Sequence, residues 1–214
     1  MIKTGLWLII FLLIMIPAAF AGQILYVDMD APGPAHNGSS WAYAYKRLQN
    51  AIADADSLVK PVEIRVAQGI YMPDYYHGLP WFPDRTATFQ LISGVAVMGG
   101  YAGFGTPDPN ARDINVYETI LSGDLYNNDG EVSEPCDLLN DPNRIENSCH
   151  VVTGNGTDET AILNGFTICG GNANHESHGN MDLIGGGLFN EPGSPTLTRT
   201  HPKTLRRRIT IQPS

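Results

Sequence analysis

Residues 185–190 (GGGLFN) and 193–198 (GSPTLT) carry the clearest structural signal in this chain of 214 residues. A glycine cluster meets a short apolar pair, and a polar turn then leads into a second short extended segment. The same order appears upstream, in residues 160–171 (TAILNGFTICGG). Short β-rich segments bounded by Gly and Asn are typical of stacked β-coils, so these stretches predict an all-β fold.

The two stretches also resemble a known family. A triple glycine followed by an apolar pair and Asn, with SPTLT after it, is similar to the right-handed parallel β-helix repeat proteins of the pectin-lyase-like superfamily, especially the large secreted bacterial ones. Residues 38–42 (GSSWA) and 67–71 (AQGIY) resemble the family's N-terminal cap and the end of its first coil strand. The resemblance implies a right-handed parallel β-helix over residues 22–198, with a strand and helix cap at 22–60. On pattern alone, an antiparallel sandwich contains similar short runs.

The cap is predicted to contain one amphipathic helix. Ser39 or Ser40 is placed to cap a helix that begins near Trp41. An apolar face at steps of three or four residues is formed by Tyr45, Leu48, Ile52 and Ala55. Strands are predicted at residues 24–27, 62–67, 87–91, 95–98, 118–121, 150–153, 161–163, 166–168, 187–189 and 196–198.

The two ends of the chain differ from its body. Lys3, the apolar run 6–16 and the segment 19–21 (AFA) match a secretory signal peptide, so residues 1–21 are expected to be removed on export. An uncleaved N-terminal anchor is the alternative; after cleavage we expect no membrane span. Residues 199–214 form an atypical basic tail without acidic residues or glycine. A genuine tail and a truncated or frame-altered coding end both explain it, and we favour the second.

Charge narrows the choice of partners. Residues 22–198 contain seven basic residues and all 22 acidic residues, a net charge of about −15. Such a surface repels the phosphate backbone of nucleic acids, so we expect no nucleic-acid partner.

A metal site is one candidate for chemistry. Residues 124–131 (DLYNNDGE) are the densest run of oxygen ligands, and Asp124, Asn128 and Asp129 are the candidate ligands in it. The run does not match the EF-hand loop, and an ordinary Asn/Asp turn explains the same composition. Calcium is the candidate cofactor, because the resemblance to the pectin-lyase-like superfamily implies it: lyases of that superfamily bind calcium through several carboxylates.

Two further groups of residues are candidates for binding or cross-linking. Tyr75, Tyr76, Trp81 and Phe82 form a surface-type aromatic cluster; such rings stack on sugars, although they also cover the flank of a core. Cys136 and Cys149 flank a polar segment and are a candidate disulfide in an oxidising compartment.

These features favour a secreted or cell-surface scaffold of adhesin type that binds polysaccharide. The alternative is a polysaccharide lyase or glycoside hydrolase acting on acidic plant or algal polysaccharide. Lyases of this fold need calcium and an Arg or Lys base, and no Arg or Lys occurs between Arg144 and Arg199. We therefore assign no catalytic residue.

Overall fold

A computed structural model of the chain describes residues 22–74, 83–130, 141–174 and 184–202. Strands predominate among the regular elements of the described residues, with little helix. None of the helices among them is long and apolar enough to cross a membrane. The predicted signal peptide and all but the first four residues of the basic tail lie outside the described residues.

Twelve strands and one α-helix occur within the described residues, together with 3-10 turns at Trp41–Tyr43 and Pro142–Arg144. The helix α1 is Leu48–Ser57. The strands are β1 Gln23–Val27, β2 Val62–Ala67, β3 Gly69–Tyr71, β4 Phe89–Gln90, β5 Val95–Tyr101, β6 Thr119–Ser122, β7 Val152–Thr153, β8 Ile162–Asn164, β9 Thr167–Cys169, β10 Leu188–Phe189, β11 Thr196–Thr198 and β12 His201–Pro202.

The strands form three open sheets, and every pairing between described strands is parallel. The first sheet has the order β1-β2-β5-β8-β11, the second β3-β6-β9-β12 and the third β4-β7-β10. From β2 onward the chain therefore visits the first, second and third sheet in turn and then returns to the first. Each new strand therefore pairs with the preceding strand of the same sheet.

The core is built from matching rows of apolar side chains. In the first sheet Leu25, Ile64, Val97 and Leu163 occupy equivalent positions on successive strands, and all four are buried. Alternate residues of a strand point to opposite faces, so the alternation of apolar residues in β2 directs one face inward. Stacking in register then keeps each row continuous.

Helix α1 covers one end of this core. It contacts β1, β2 and β4, and its buried face is formed by Leu48, Ala51, Ile52 and Ala55. The predicted helix start near Trp41 is wrong. Trp41 begins only a 3-10 turn, and Tyr45 is extended, because its backbone N–H and C=O bond to Tyr26 and Asp28 beside β1.

The predicted strands agree with the structure to within a few residues. Two strands had no counterpart among the predictions. β3 begins at Gly69, which has φ +139°, and only Gln68 separates it from the end of β2. β12 lies within the predicted tail and pairs with β9, so strand pairing continues past residue 198.

Candidate metal centre

The described parts of the long connections from the second sheet to the third meet at one corner. They span residues 72–88, 123–151 and 170–187, and we call their meeting point the connection corner. Two backbone hydrogen bonds join neighbouring connections there, from Cys149 N to Arg85 O and from Asn172 N to Ser148 O. A third, from Ser148 N to Gly123 O, joins the two ends of the middle connection, and each bond is 2.8 Å long. The described parts of the three connections are thus stacked, as the strands are.

Arg85 links all three connections. Its Nε donates to Asn147 O at 2.7 Å, and its Nη2 donates to Asn172 O at 2.9 Å and Asn174 Oδ1 at 2.5 Å. A guanidinium holds several donors in a rigid plane, so one side chain bonds acceptors on two neighbouring connections at once. The side chain therefore fixes the spacing of the corner.

A second set of bonds joins the middle connection to the last one. Arg144 Nη2 donates to Gly171 O at 2.6 Å, Asn172 Nδ2 donates to Arg144 O at 2.6 Å, and Asn147 Nδ2 donates to Gly170 O at 2.7 Å. These bonds hold Asn147 in place beside the residues that follow β9.

Three carboxylates converge inside this corner. One oxygen from each of Asp124, Asp129 and Glu146 lies within 4.8 Å of the other two. Asp124 follows β6 closely, and its two oxygens accept from Asn128 N at 2.9 Å and Asp129 N at 3.1 Å, which folds the chain back on itself. Asp124 is fully buried and Glu146 is 5% exposed.

Burial raises the pKa of two of these groups. The pKa of Asp129 rises to about 6, mainly through desolvation, and the hydrogen bond from Asn147 opposes the rise. Asp124 and Glu146 raise it further, whereas Arg144 lowers it. The pKa of Glu146 is also raised by burial, with Asp124 adding to the effect and a hydrogen bond from Asn128 and the charge of Arg85 opposing it. The corner therefore disfavours three ionised carboxylates unless a cation accompanies them.

Several oxygens at the corner have no hydrogen-bond partner among the described residues. They are Asp129 Oδ1, Glu146 Oε1, Asn147 Oδ1 and Ser148 Oγ, and all four atoms are buried. The Asn147 carboxamide lies against the cluster, since its Nδ2 donates to Asp129 Oδ2 at 2.8 Å. Buried oxygens without a donor are costly, and a bound cation is one way to satisfy them.

The sequence named two of the three clustered acids. Asp124 and Asp129, two of the predicted ligands, lie together in the cluster. The third predicted ligand, Asn128, is exposed and donates a hydrogen bond to Asp124 instead. Glu146 and Asn147 were missed because they lie far along the chain. Their one signal is the polar composition of the insertion that begins at Asp124 and ends near Ser148.

Other predicted sites remain predictions. Tyr75, Tyr76, Trp81, Phe82 and Cys136 lie outside the described residues. Cys149, the proposed partner of Cys136, is buried beside the connection corner, and Cys169 is buried at the end of β9.

Arg112 and Arg144, two of the arginines available as a base, make structural hydrogen bonds. Arg112 Nε donates to Gly99 O at 2.9 Å, its Nη2 donates to Asn164 Oδ1, and its guanidinium lies over the Tyr101 ring. Arg112 therefore supports the outer face of the first sheet, as Arg144 supports the corner.

No family model, curated protein or solved structure matches the chain. Its function is therefore inferred from the geometry of its own residues.

Proposed function

We propose that the chain is a right-handed parallel β-helix with an N-terminal cap and that it serves as a secreted or cell-surface scaffold. The observation that carries the proposal is the repeated passage of the chain through three parallel sheets in one order. A chain that circulates in this way stacks one coil on the next, and each coil needs its neighbour to bury its apolar face.

Two further features support this architecture. Connections between parallel strands of one sheet are right-handed in nearly all proteins, which favours the right-handed form. Helix α1 lies beside β4 at the end of the third sheet, where a first coil would otherwise leave an apolar end uncovered.

A scaffold role agrees with the chemistry of the described residues. Asp124 and Glu146 are buried, so a polymer has little access to them as catalytic acids. Arg112 and Arg144 donate to backbone carbonyls. The corner instead holds long connections on a rigid frame, which is how many proteins present binding loops.

Polysaccharide is the proposed ligand. The aromatic residues predicted to contact it occur in the connection that follows β3, one of the three that meet at the corner. Exposed aromatic rings bind sugar faces by stacking. Depletion of the exported chain by a panel of insoluble plant and algal polysaccharides tests this, with Trp81→Ala expected to reduce depletion at least fivefold.

Phe104→Ala is the matched control, because Phe104 is an exposed aromatic residue of a different loop, 41% exposed. It should bind as the wild type does. Equal binding by wild type and Trp81→Ala would contradict the ligand site.

Export and catalysis are tested separately. N-terminal sequencing of the exported chain should begin at Gly22. Release of unsaturated product from pectate that is lost in Arg112→Ala or Arg144→Ala would make the chain an enzyme instead.

A further inference from the structure

We propose that the connection corner binds one calcium ion through Asp124, Asp129 and Glu146, with Asn147 as a fourth oxygen ligand. The site belongs to the folded chain itself and does not depend on the scaffold role or on polysaccharide binding. Its function is to hold the insertion between β6 and β7 against the stacked connections.

The spacing of the three carboxylates fits one ion. Calcium is bound by oxygens at 2.3–2.6 Å, so two ligands on opposite sides of it are about 4.8 Å apart. The oxygens of Asp124, Asp129 and Glu146 all lie within that distance of one another. A single ion is therefore able to contact all three carboxylates at once.

Unsatisfied oxygens provide an independent observation. Asn147 is fully buried, its Nδ2 is bonded to Asp129 and Gly170, and its Oδ1 has no partner among the described residues. Glu146 Oε1 and Asp129 Oδ1 are in the same condition. An amide oxygen is an acceptor, so the neighbouring carboxylate oxygens cannot satisfy it by hydrogen bonding. A hard cation can, because such oxygens are suitable ligands for it.

The donor set also selects the ion. All the candidate ligands are oxygens, which suits calcium or magnesium and not zinc or copper. Magnesium needs ligands at 2.0–2.1 Å in near-octahedral geometry, whereas calcium tolerates irregular sets of six to eight oxygens. The three acids come from separate positions of a long connection, so the irregular set favours calcium.

Calcium binding would strengthen a corner that is already bonded. The backbone around the acids is held through Ser148, Cys149 and Asn172, and Arg85 spans the same connections. The charge of the ion offsets the repulsion among the three carboxylates. Arg85 and Arg144 lie near them and donate hydrogen bonds to the carbonyls of Asn147 and Gly171. The ion would thus join the two described ends of the insertion without changing the sheets.

The test is calorimetric titration of the full 214-residue chain with CaCl₂ after removal of metals, together with thermal melts in chelator, calcium and magnesium. Wild type should bind one calcium ion and melt at a higher temperature with calcium than with an equal concentration of magnesium. Glu146→Gln and Asp129→Asn should each weaken calcium binding at least tenfold and remove the calcium-dependent shift.

The melts in chelator separate a metal ligand from a structural acid. Without calcium both variants should melt at or above the wild-type temperature, because each substitution removes a repelling charge and preserves the size of the side chain. Glu159→Gln, at an exposed acid outside the corner, should retain wild-type calcium binding. Absence of calcium binding by the wild type would overturn the proposal. Equal binding by wild type, Glu146→Gln and Asp129→Asn, or an equal shift with magnesium, would do the same.

Discussion

Leu163 and Leu197 are directly paired across β8 and β11, yet Leu163 is 1% exposed and Leu197 is 43% exposed. Both occupy the inward row that also contains Leu25, Ile64 and Val97. Leu163 has a paired strand on each side, whereas β11 is the edge strand of the first sheet among the described residues. Burial in this fold thus depends on the neighbouring strand as well as on the residue.

The two leucines should therefore respond differently to truncation. Leu163→Ala is expected to lower the free energy of unfolding by about 3 kcal/mol, because it leaves a cavity in a packed row. Leu197→Ala should cost about 1 kcal/mol, since Leu197 is already 43% exposed. Denaturant unfolding of both variants measures the difference, and equal losses would contradict the stacked-row interpretation.

Arg85→Lys should loosen the connection corner while keeping the charge. Lysine cannot bond Asn147 O and Asn172 O with a planar fork, so we expect a loss of about 2 kcal/mol in unfolding free energy. Hydrogen exchange should accelerate at the amides of Cys149 and Asn172, which bond across the corner.

Lys46→Gln is the control for this substitution. Lys46 is exposed on the segment before α1, so its replacement should change stability by less than about 0.5 kcal/mol. Unchanged exchange at Cys149 and Asn172 in Arg85→Lys would show that the corner does not depend on the guanidinium.

Asp129 should make stability depend on pH when calcium is absent. Its pKa is about 6 in the folded chain and near 3.8 in the unfolded chain, so the folded state retains the proton over the interval between them. Its contribution to stability is therefore complete below about pH 4 and is lost as the pH rises through 6. The charges of Asp124 and Glu146 also raise the pKa of Asp129, and the charge of Arg144 lowers it.

Thermal melts in chelator from pH 4 to 7 measure this effect. The melting temperature of the wild type should fall relative to that of Asp129→Asn as the pH rises through 6. Comparing the two proteins removes the contribution of groups far from the corner. A constant difference between them across this range would show that Asp129 titrates normally.

Gly103 and Gly105 form a matched pair for testing the loop after β5. Both have positive φ, at +82° and +84°, so alanine is strained to a similar extent at each. A Cβ at Gly103 would lie 2.6 Å from Asp28 Oδ2 and 2.6 Å from Ala67 Cβ, whereas one at Gly105 would meet nothing within 4 Å. Gly105→Ala should cost about 1 kcal/mol and Gly103→Ala about 2 kcal/mol more.

The reason for the extra cost at Gly103 is the buried Asp28. Its Oδ2 accepts from Phe104 N at 2.6 Å and so attaches the loop to the end of β1. Denaturant unfolding of the two alanine variants gives the comparison. A larger loss at Gly105 than at Gly103 would show that the close approach to Asp28 is absent in solution.

Much of the strand pattern was predictable because it is local. The alternation in β2 and the short β-rich segments before glycine lie within a few residues of one another, and they match the observed strands closely. The helix start was not predictable in the same way. Tyr45 has the spacing of a helical face, but pairing with β1 satisfies its backbone better than a helix would.

The residues of the candidate metal centre also differ in whether local sequence identifies them. Asp124 and Asp129 are five residues apart, so their turn is encoded locally and the sequence alone identified both. Glu146 and Asn147 reach them only because the insertion returns to the corner, where Arg85 and Asn172 hold it. The raised pKa of Asp129 likewise comes from burial among groups distant in sequence. Short-range patterns therefore determined most of the strands and one turn. The carboxylate cluster was decided by the tertiary structure, because only stacked connections bring its members together.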